Sequence, residues 1–406
     1  MKLLLSAYAC EPGIGSEPGV GWNWAQQAAR FADVWVMTRE SNRPRIEAYL
    51  AENPNENLHF EFLDLPEWAR FWKKGRRGVH AYYYLWQVLA GQTAQRLHKE
   101  HGFDAVQHVT FVNSWMPSFV WRTGVPFVWG PINTNAPVPR AFQTLWDLGE
   151  RAQDAIRSAI TWSAPRVRPD VLATANHAEH IICGSEYVQN LLPLHLRAKS
   201  SIIWQNGVHS EDVVTPRKKK EQADRPFRVI TVGRFIAIKG LDLAIRSFAA
   251  ADLPTNAELV LIGDGPWRER LESLTDQLNL SHRVHFRGTI SRTEVLESFQ
   301  QADVLLFPSF EGAGMVVMEA MACGLPVVVL DHGGPGEYVD EHTGIRIPVT
   351  HPDTVVVQLG DALHDLYSDV QRREIMSQAA IQRAQTAFSW DQRGEALRTL
   401  LEGMVS

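Results

Sequence analysis

The feature that most constrains this chain is a recurrence in its second half, where short runs of β-branched and other apolar residues each end in a turn of glycine, proline or charged residues. Residues 228–232 run into Gly233-Arg234, 258–262 into Gly263-Asp264-Gly265-Pro266, 304–307 into Pro308-Ser309, and 327–330 into Asp331-His332-Gly333-Gly334. A further apolar run lies at 284–286. Continuous apolar runs of this length predict strands buried on both faces. The helix-length segments from Leu241, from Trp267 and around Glu319 predict the crossovers between them. Such alternation is the pattern of an open parallel α/β sheet, which collects its ligands at the carboxyl ends of its strands.

The first half repeats the theme. Residues 2–9 read as a buried strand, 10–21 as a glycine- and proline-rich loop, 22–31 as a helix and 34–38 as the next strand. Strands are also expected at 59–63, 105–109, 127–129 and 181–183, with a helix over 82–98. A turn signal at Trp204-Gln205-Asn206-Gly207-Val208 and a polar stretch over 209–226, including Arg217-Lys218-Lys219-Lys220, mark a boundary. Two α/β domains are therefore expected, 1–205 and 206–389, and 406 residues are enough for two cores. A net charge of -6 argues against nucleic acid as a partner. The three cysteines, Cys10, Cys183 and Cys323, have neither disulfide-framework nor zinc spacing and suit a reducing cytoplasm. The apolar start is short and meets Glu11-Pro12-Gly13 at once, so it is read as a strand and not as a leader, and no stretch is long enough for a membrane span.

Chemistry-bearing residues cluster after the strands of the second half. Arg234 offers a bidentate fork and Lys239 a point charge, a pair suited to a diphosphate. The Gly-Asp-Gly-Pro turn is given structural weight only. In the segment from Pro308 to Pro326, two glycines, Gly312 and Gly314, precede a helix whose amino end can face an anion. Glu311 before them and Glu319 about a turn into the helix can flank one ligand and accept bonds from its hydroxyls. The glycines after Asp331 either let main chain approach phosphates or form a surface turn.

These segments resemble the retaining glycosyltransferases of family four, with the GT-B architecture of two Rossmann-like doubly wound domains facing a central cleft. Glu311 and Glu319 match the family's E-x7-E pattern, and Gly233-Arg234 and Lys239-Gly240 its VGR and KG positions. The resemblance implies that Arg234 and Lys239 hold a donor diphosphate, Glu319 the ribose and Glu311 the transferred sugar. It places the backbone of Gly312, Ala313, Gly314 and Met315 against sugar and phosphate, and main chain at 288–290, including Ile290, beside the base. The first loop, with Gly13, Gly15 and Gly19, would lie near the donor phosphate, and His108 near the reacting sugar, although Asp104 and His108 do not keep the family's usual spacing. Ala313 replaces a common aromatic and His209 a common aspartate. A last helix, 390–406, is expected to return to the first domain.

The implied reaction transfers a hexose-type sugar from a UDP- or GDP-sugar to a glycan, lipid-linked or small-molecule acceptor, with retention, in polysaccharide or glycoconjugate synthesis. Arg234, Lys239 and the helix dipole stabilise the departing diphosphate; with no Asp-x-Asp motif, no metal and no cofactor are expected. Phe71-Trp72-Lys73-Lys74-Gly75-Arg76-Arg77 and the aromatic run from Tyr82 to Trp86 suit either peripheral contact with a membrane or ordinary helix packing. Trp115 and Trp129 are read as core. The competing readings are a glycoside hydrolase using Glu311 and Glu319, a nucleotide-sugar epimerase and a non-catalytic sugar-nucleotide binder.

Overall fold

The structure, a computed structural model, describes residues 1–70, 78–213 and 225–405. The chain divides into two compact units, one of Met1–Thr134, Ala159–Asn206 and Trp390–Ser406, the other of Asn135–Ser158 and Gly207–Ser389. Residues 135–158, inside the span 1–205 expected for the first domain, thus pack with the second unit.

The first unit holds seven strands: β1 (Lys2–Ser6), β2 (Asp33–Arg39), β3 (Leu58–Leu63), β4 (Ala105–His108), β5 (Phe127–Ile132), β6 (His180–Cys183) and β7 (Ser200–Ile202). All pair in parallel in the order β3-β2-β1-β4-β5-β6-β7, so the order reverses between β1 and β4. Side chains alternate across a strand, and β1 feeds two cores. Leu4 packs in a cluster with Tyr83, Trp86 and Trp129, while Leu3 and Leu5 join Trp24, Val34, Trp390 and Leu397. Through these last residues the helix Trp390–Val405 belongs to this unit.

The first helix runs over Ser16–Ala28 and so begins inside the stretch read as a loop. Pro18 sits in its first turn, where no amide donor is needed. Gly19 and Gly21 are there for proximity: a Cβ on them would lie 2.2 Å from the Ile14 carbonyl oxygen and 2.1 Å from that of Ala9. β7 escaped the sequence reading because three residues, two of them serine, leave no apolar pattern. The helix Val79–His101 buries Tyr82, Tyr83 and Trp86, so the described part of the aromatic segment is a packing face; residues 71–77 lie outside the described residues. Trp129 is fully buried in β5, and no described helix is long and apolar enough to cross a membrane.

The second unit holds β8 (Arg228–Val232), β9 (Glu258–Ile262), β10 (Val284–Gly288), β11 (Val304–Phe307), β12 (Val327–Leu330) and β13 (Gly344–Ile347). They pair in parallel in the order β10-β9-β8-β11-β12-β13, reversing between β8 and β11. Its core contains Phe235, Phe248, Leu259, Leu306 and Leu363, with Val138, Phe142 and Trp146 contributed by the 135–158 segment. The Phe142 and Phe310 rings meet edge-on at 5.2 Å, and Trp267 Nε1 donates to Glu150 at 2.5 Å.

Candidate active site

In the second unit the loops leaving β8, β9 and β11 are pressed together at the carboxyl ends of the strands. Gly233 follows β8 and donates its N–H to the Ile262 carbonyl at 2.9 Å, while Phe235 donates to that of Asp264 at 2.9 Å. Gly263 has φ +132°, and a Cβ on it would stand 1.9 Å from the Gly233 carbonyl oxygen. The Gly-Asp-Gly-Pro turn is therefore scaffold, as its residue types suggest. A short turn, Ala237–Lys239, ends at Gly240 with φ +60°, where a Cβ would meet the Pro308 carbonyl oxygen at 2.1 Å. Phe310 donates its N–H to the Ile238 carbonyl at 2.9 Å, which closes the two loops on one another.

That closure brings Lys239 to Glu311. Their side chains, 14% and 16% exposed, form an ion pair between Nζ and Oε2, and Nζ also stands 5.2 Å over the Phe307 ring. Burial pushes the Glu311 carboxyl above its ordinary pKa and the Lys239 charge draws it back. Arg234 is exposed beside them and makes no ion pair among the described residues.

Glu319 lies in the helix Met315–Ala322, whose other residues are apolar. It is 5% exposed, and Oε1 accepts from Arg292 Nε at 2.9 Å. The guanidinium also grips Asp212, Nη2 to Oδ2 at 2.6 Å and Nη1 to Oδ1 at 3.2 Å. Burial raises the Glu319 carboxyl against the opposing pull of Arg292. Burial works against the Arg292 charge too, yet Asp212 and Glu319 hold its pKa above the usual value. Arg292 opens a helix fixed by a capping box between Ser291 and Glu294. Ile290, half-buried, precedes that cap. Neither Arg292 nor Asp212 figured in the sequence reading; the Ser291-x-x-Glu294 cap was the one signal that a helix start, and hence an oriented first residue, lay there.

Gly312 is engaged on both sides of its backbone. Its N–H donates to Asn135 Oδ1 at 2.7 Å, and its carbonyl accepts from Gly334 at 3.2 Å. A Cβ on Gly333 or on Gly334 would lie 2.4 Å from the carbonyl oxygen of Glu311 or Gly312 respectively. The glycines after β12 thus let one loop lie on another, and Gly333–Tyr338 is a short helix. Ala313 and Met315 are half-buried and Gly314 buried, as the N-cap of the Glu319 helix.

In the first unit, Gly15 is the extended N-cap of Ser16–Ala28, with φ -75° and ψ 179°. Glu17 accepts the Phe111 N–H at 2.9 Å, and both Ser16 and Phe111 have positive φ, +62° and +61°. His108 ends β4 and is fully buried; Nε2 meets the Tyr83 hydroxyl at 2.9 Å and the Gln87 amide at 3.3 Å. Burial pushes its pKa down to about 3, so the ring is neutral at physiological pH. Among the described residues no cluster of His, Cys, Asp or Glu is arranged to hold a metal ion.

Residues 214–383 match the family model described as "Glycosyl transferases group 1". This stretch of the second half is thus similar to the glycosyl transferases group 1 domain. Its curated relatives include an uncharacterised glycosyltransferase of Methanocaldococcus jannaschii, 31% identical over 232 residues that span 57% of this chain and 61% of that protein. Another is the GDP-mannose-dependent alpha-(1-6)-phosphatidylinositol monomannoside mannosyltransferase of Mycolicibacterium smegmatis, 32% identical over 198 residues, 46% of this chain and 50% of that protein. The chain therefore matches only about half to three-fifths of the length of these relatives. Similar solved structures include sucrose-phosphate synthase from Thermosynechococcus elongatus, with TM-score 0.66, 20% identity and 99% of each chain covered. Anabaena HepE in complex with UDP and glucose superposes with TM-score 0.65 and 18% identity over 99% of this chain and 100% of that one. At these identities the likeness establishes the fold, GT-B, with its two parallel-sheet Rossmann-like domains.

Proposed function

We propose that this protein is a retaining, metal-independent glycosyltransferase of family four that moves a hexose-type sugar from a UDP- or GDP-sugar to a glycan, lipid-linked or small-molecule acceptor. The observation that carries the reading is the half-enclosed Lys239–Glu311 pair beside the exposed Arg234, at the strand ends of a domain matching the group 1 transferases. An ammonium has three donors, so Lys239 can keep Glu311 and still hold a phosphate oxygen. Arg234 adds a fork for the second phosphate, and the backbone from Gly312 to Met315 leads to the amino end of the Glu319 helix. Glu311 is then turned toward sugar hydroxyls and Glu319 toward the ribose, with Gly233 and Ile290 lining the nucleotide.

In transfer, the bond between the anomeric carbon and the diphosphate oxygen breaks, negative charge grows on the diphosphate, and these cations stabilise it without a metal. The acceptor oxygen bonds the anomeric carbon on the same face as its proton passes to the departing phosphate oxygen, so no side-chain nucleophile is required. His108, buried and neutral, serves as a hydrogen-bonding support and not as a proton carrier. The GDP-mannose in one relative's name and the UDP in one neighbour's complex support the donor class. Three free cysteines, all buried, fit work in a reducing cytoplasm.

The test is a thermal-shift panel of nucleoside diphosphates and nucleotide sugars in the presence of EDTA. A ligand at a hundred times its Kd stabilises the folded state by about 2.7 kcal/mol, so one base should raise the melting temperature clearly. No shift with any nucleotide at saturating concentration would refute the donor site, and stabilisation by free oligosaccharide alone would favour a hydrolase.

A further inference from the structure

The 135–158 segment has a task in the second unit beyond covering its core. Asn135 Oδ1 accepts the buried Gly312 N–H at 2.7 Å, on the residue next to Glu311. The backbone that presents it is clamped: Arg157 Nη1 donates to the Asn135 carbonyl at 2.7 Å and Nη2 to that of Ala136 at 3.4 Å. Arg157 is ion-paired to Asp154, which is 8% exposed. Gln143 in turn donates to Asp154 at 3.2 Å and to the Val138 carbonyl at 2.8 Å. Three polar side chains, Arg157, Asp154 and Gln143, are thus used to immobilise one loop residue, on a segment already anchored by Phe142 and Trp146.

An amide bonded through its oxygen has its nitrogen fixed on the same carbon, with two donors to satisfy. Asn135 is half-buried, and among the described residues its Nδ2 makes no hydrogen bond. That leaves a donor on a side chain held to the backbone of Gly312, the residue that follows the carboxylate acceptor Glu311 in the chain. A hydroxyl needs both, since it accepts through its lone pairs and donates its proton.

We propose that Asn135 is a specificity-determining residue of the donor site, donating from Nδ2 to a hydroxyl of the transferred sugar while Oδ1 stays on Gly312. This rests on the transferase reading above. It assigns sugar selection in part to the segment that joins the second unit from the first half of the chain.

The test is calorimetric titration of the wild type and two variants with UDP and UDP-glucose, or with GDP and GDP-mannose if those are the pair bound. Asn135→Asp keeps the acceptor for Gly312 and removes the donor. Its added charge acts on both ligands, so the ratio of the two Kd values isolates the sugar contact. The expected result is a rise of about tenfold in the sugar-nucleotide to nucleotide Kd ratio, with Asn135→Ala showing the same rise. An unchanged ratio in Asn135→Asp, whether or not the nucleotide itself binds more weakly, overturns the proposal and leaves the donor site standing. A lower melting temperature for Asn135→Ala with an unchanged ratio likewise overturns it in favour of a purely structural anchor. Failure of the wild type to bind either pair overturns the transferase reading itself.

Discussion

Removal of Arg292 tests how the second unit tolerates its buried acid. The Glu319 side chain is 7% exposed and the Arg292 side chain 46%. Breaking a fully buried pair from one side costs about 3–5 kcal/mol, but water reaches the arginine and screens it, so Arg292→Ala should cost about 1–3 kcal/mol. In a unit of about 200 residues each kcal/mol moves the melting temperature by about 2–4 °C, which gives a fall of about 2–12 °C. The pH dependence has a definite sign. Burial raises the Glu319 carboxyl in the folded state, so folding binds its proton more tightly, and stability from this group falls as pH rises through the carboxylate range. Without the arginine that fall is larger, and ionised Asp212 loses its partner as well. The deficit of Arg292→Ala should therefore be smallest near pH 4.5 and grow toward pH 8. Adding Glu319→Gln, which removes the charge and keeps the shape, should recover much of the loss at pH 8. Calorimetric melts of the wild type, both single variants and the double variant across that range form the assay. A deficit that is flat with pH, or a double variant no more stable than Arg292→Ala, would refute the assignment of the energy to this pair.

Further outcomes follow from the same geometry. Lys239→Ala should abolish sugar transfer and weaken nucleoside diphosphate binding by about tenfold or more, measured by product formation and titration; wild-type turnover would remove the diphosphate role. Gly240→Ala combines a φ of +60° with a Cβ 2.1 Å from a carbonyl oxygen, so a loss of about 2 kcal/mol or more is expected in denaturant unfolding, against little effect for Gly403→Ala, whose Cβ meets nothing within 4 Å. His108, with its pKa pushed down to about 3, binds a proton in the unfolded chain before it does so in the fold, so wild-type stability should fall between about pH 6.5 and pH 3. His108→Gln should show a shallower fall over that window, and transfer by the wild type should show no limb from this residue near pH 6.5.

Much of the fold was legible because parallel strands buried on both faces announce themselves as uninterrupted apolar runs. β8, β9, β11 and β12 begin and end where the sequence places them. Two of the four edge strands were not legible for the opposite reason: β7 and β13 are half-exposed and carry serine, glycine or arginine, so neither shows the pattern. The first helix was read late because Pro18, Gly19 and Gly21 are breakers by composition, and only the nearness of the Ile14 and Ala9 carbonyls explains why glycine is wanted inside it. The residue types at the candidate site, two cations and two carboxylates among glycines, follow from motif spacing alone.

Their partners do not follow from spacing. Lys239 reaches Glu311 because Gly240 lets the loop after β8 lie on Pro308, and Glu319 is held by an arginine 27 residues before it that is itself held by Asp212. Asn135 meets Gly312 across a separation of 177 residues. The sequence by itself determined the layers of this protein and the chemistry gathered at its strand ends, since periodicity and turn chemistry act over a few neighbours. Only the tertiary structure decided which charges neutralise one another and which segment completes the second unit, because those contacts depend on loops that touch only after the sheet has formed.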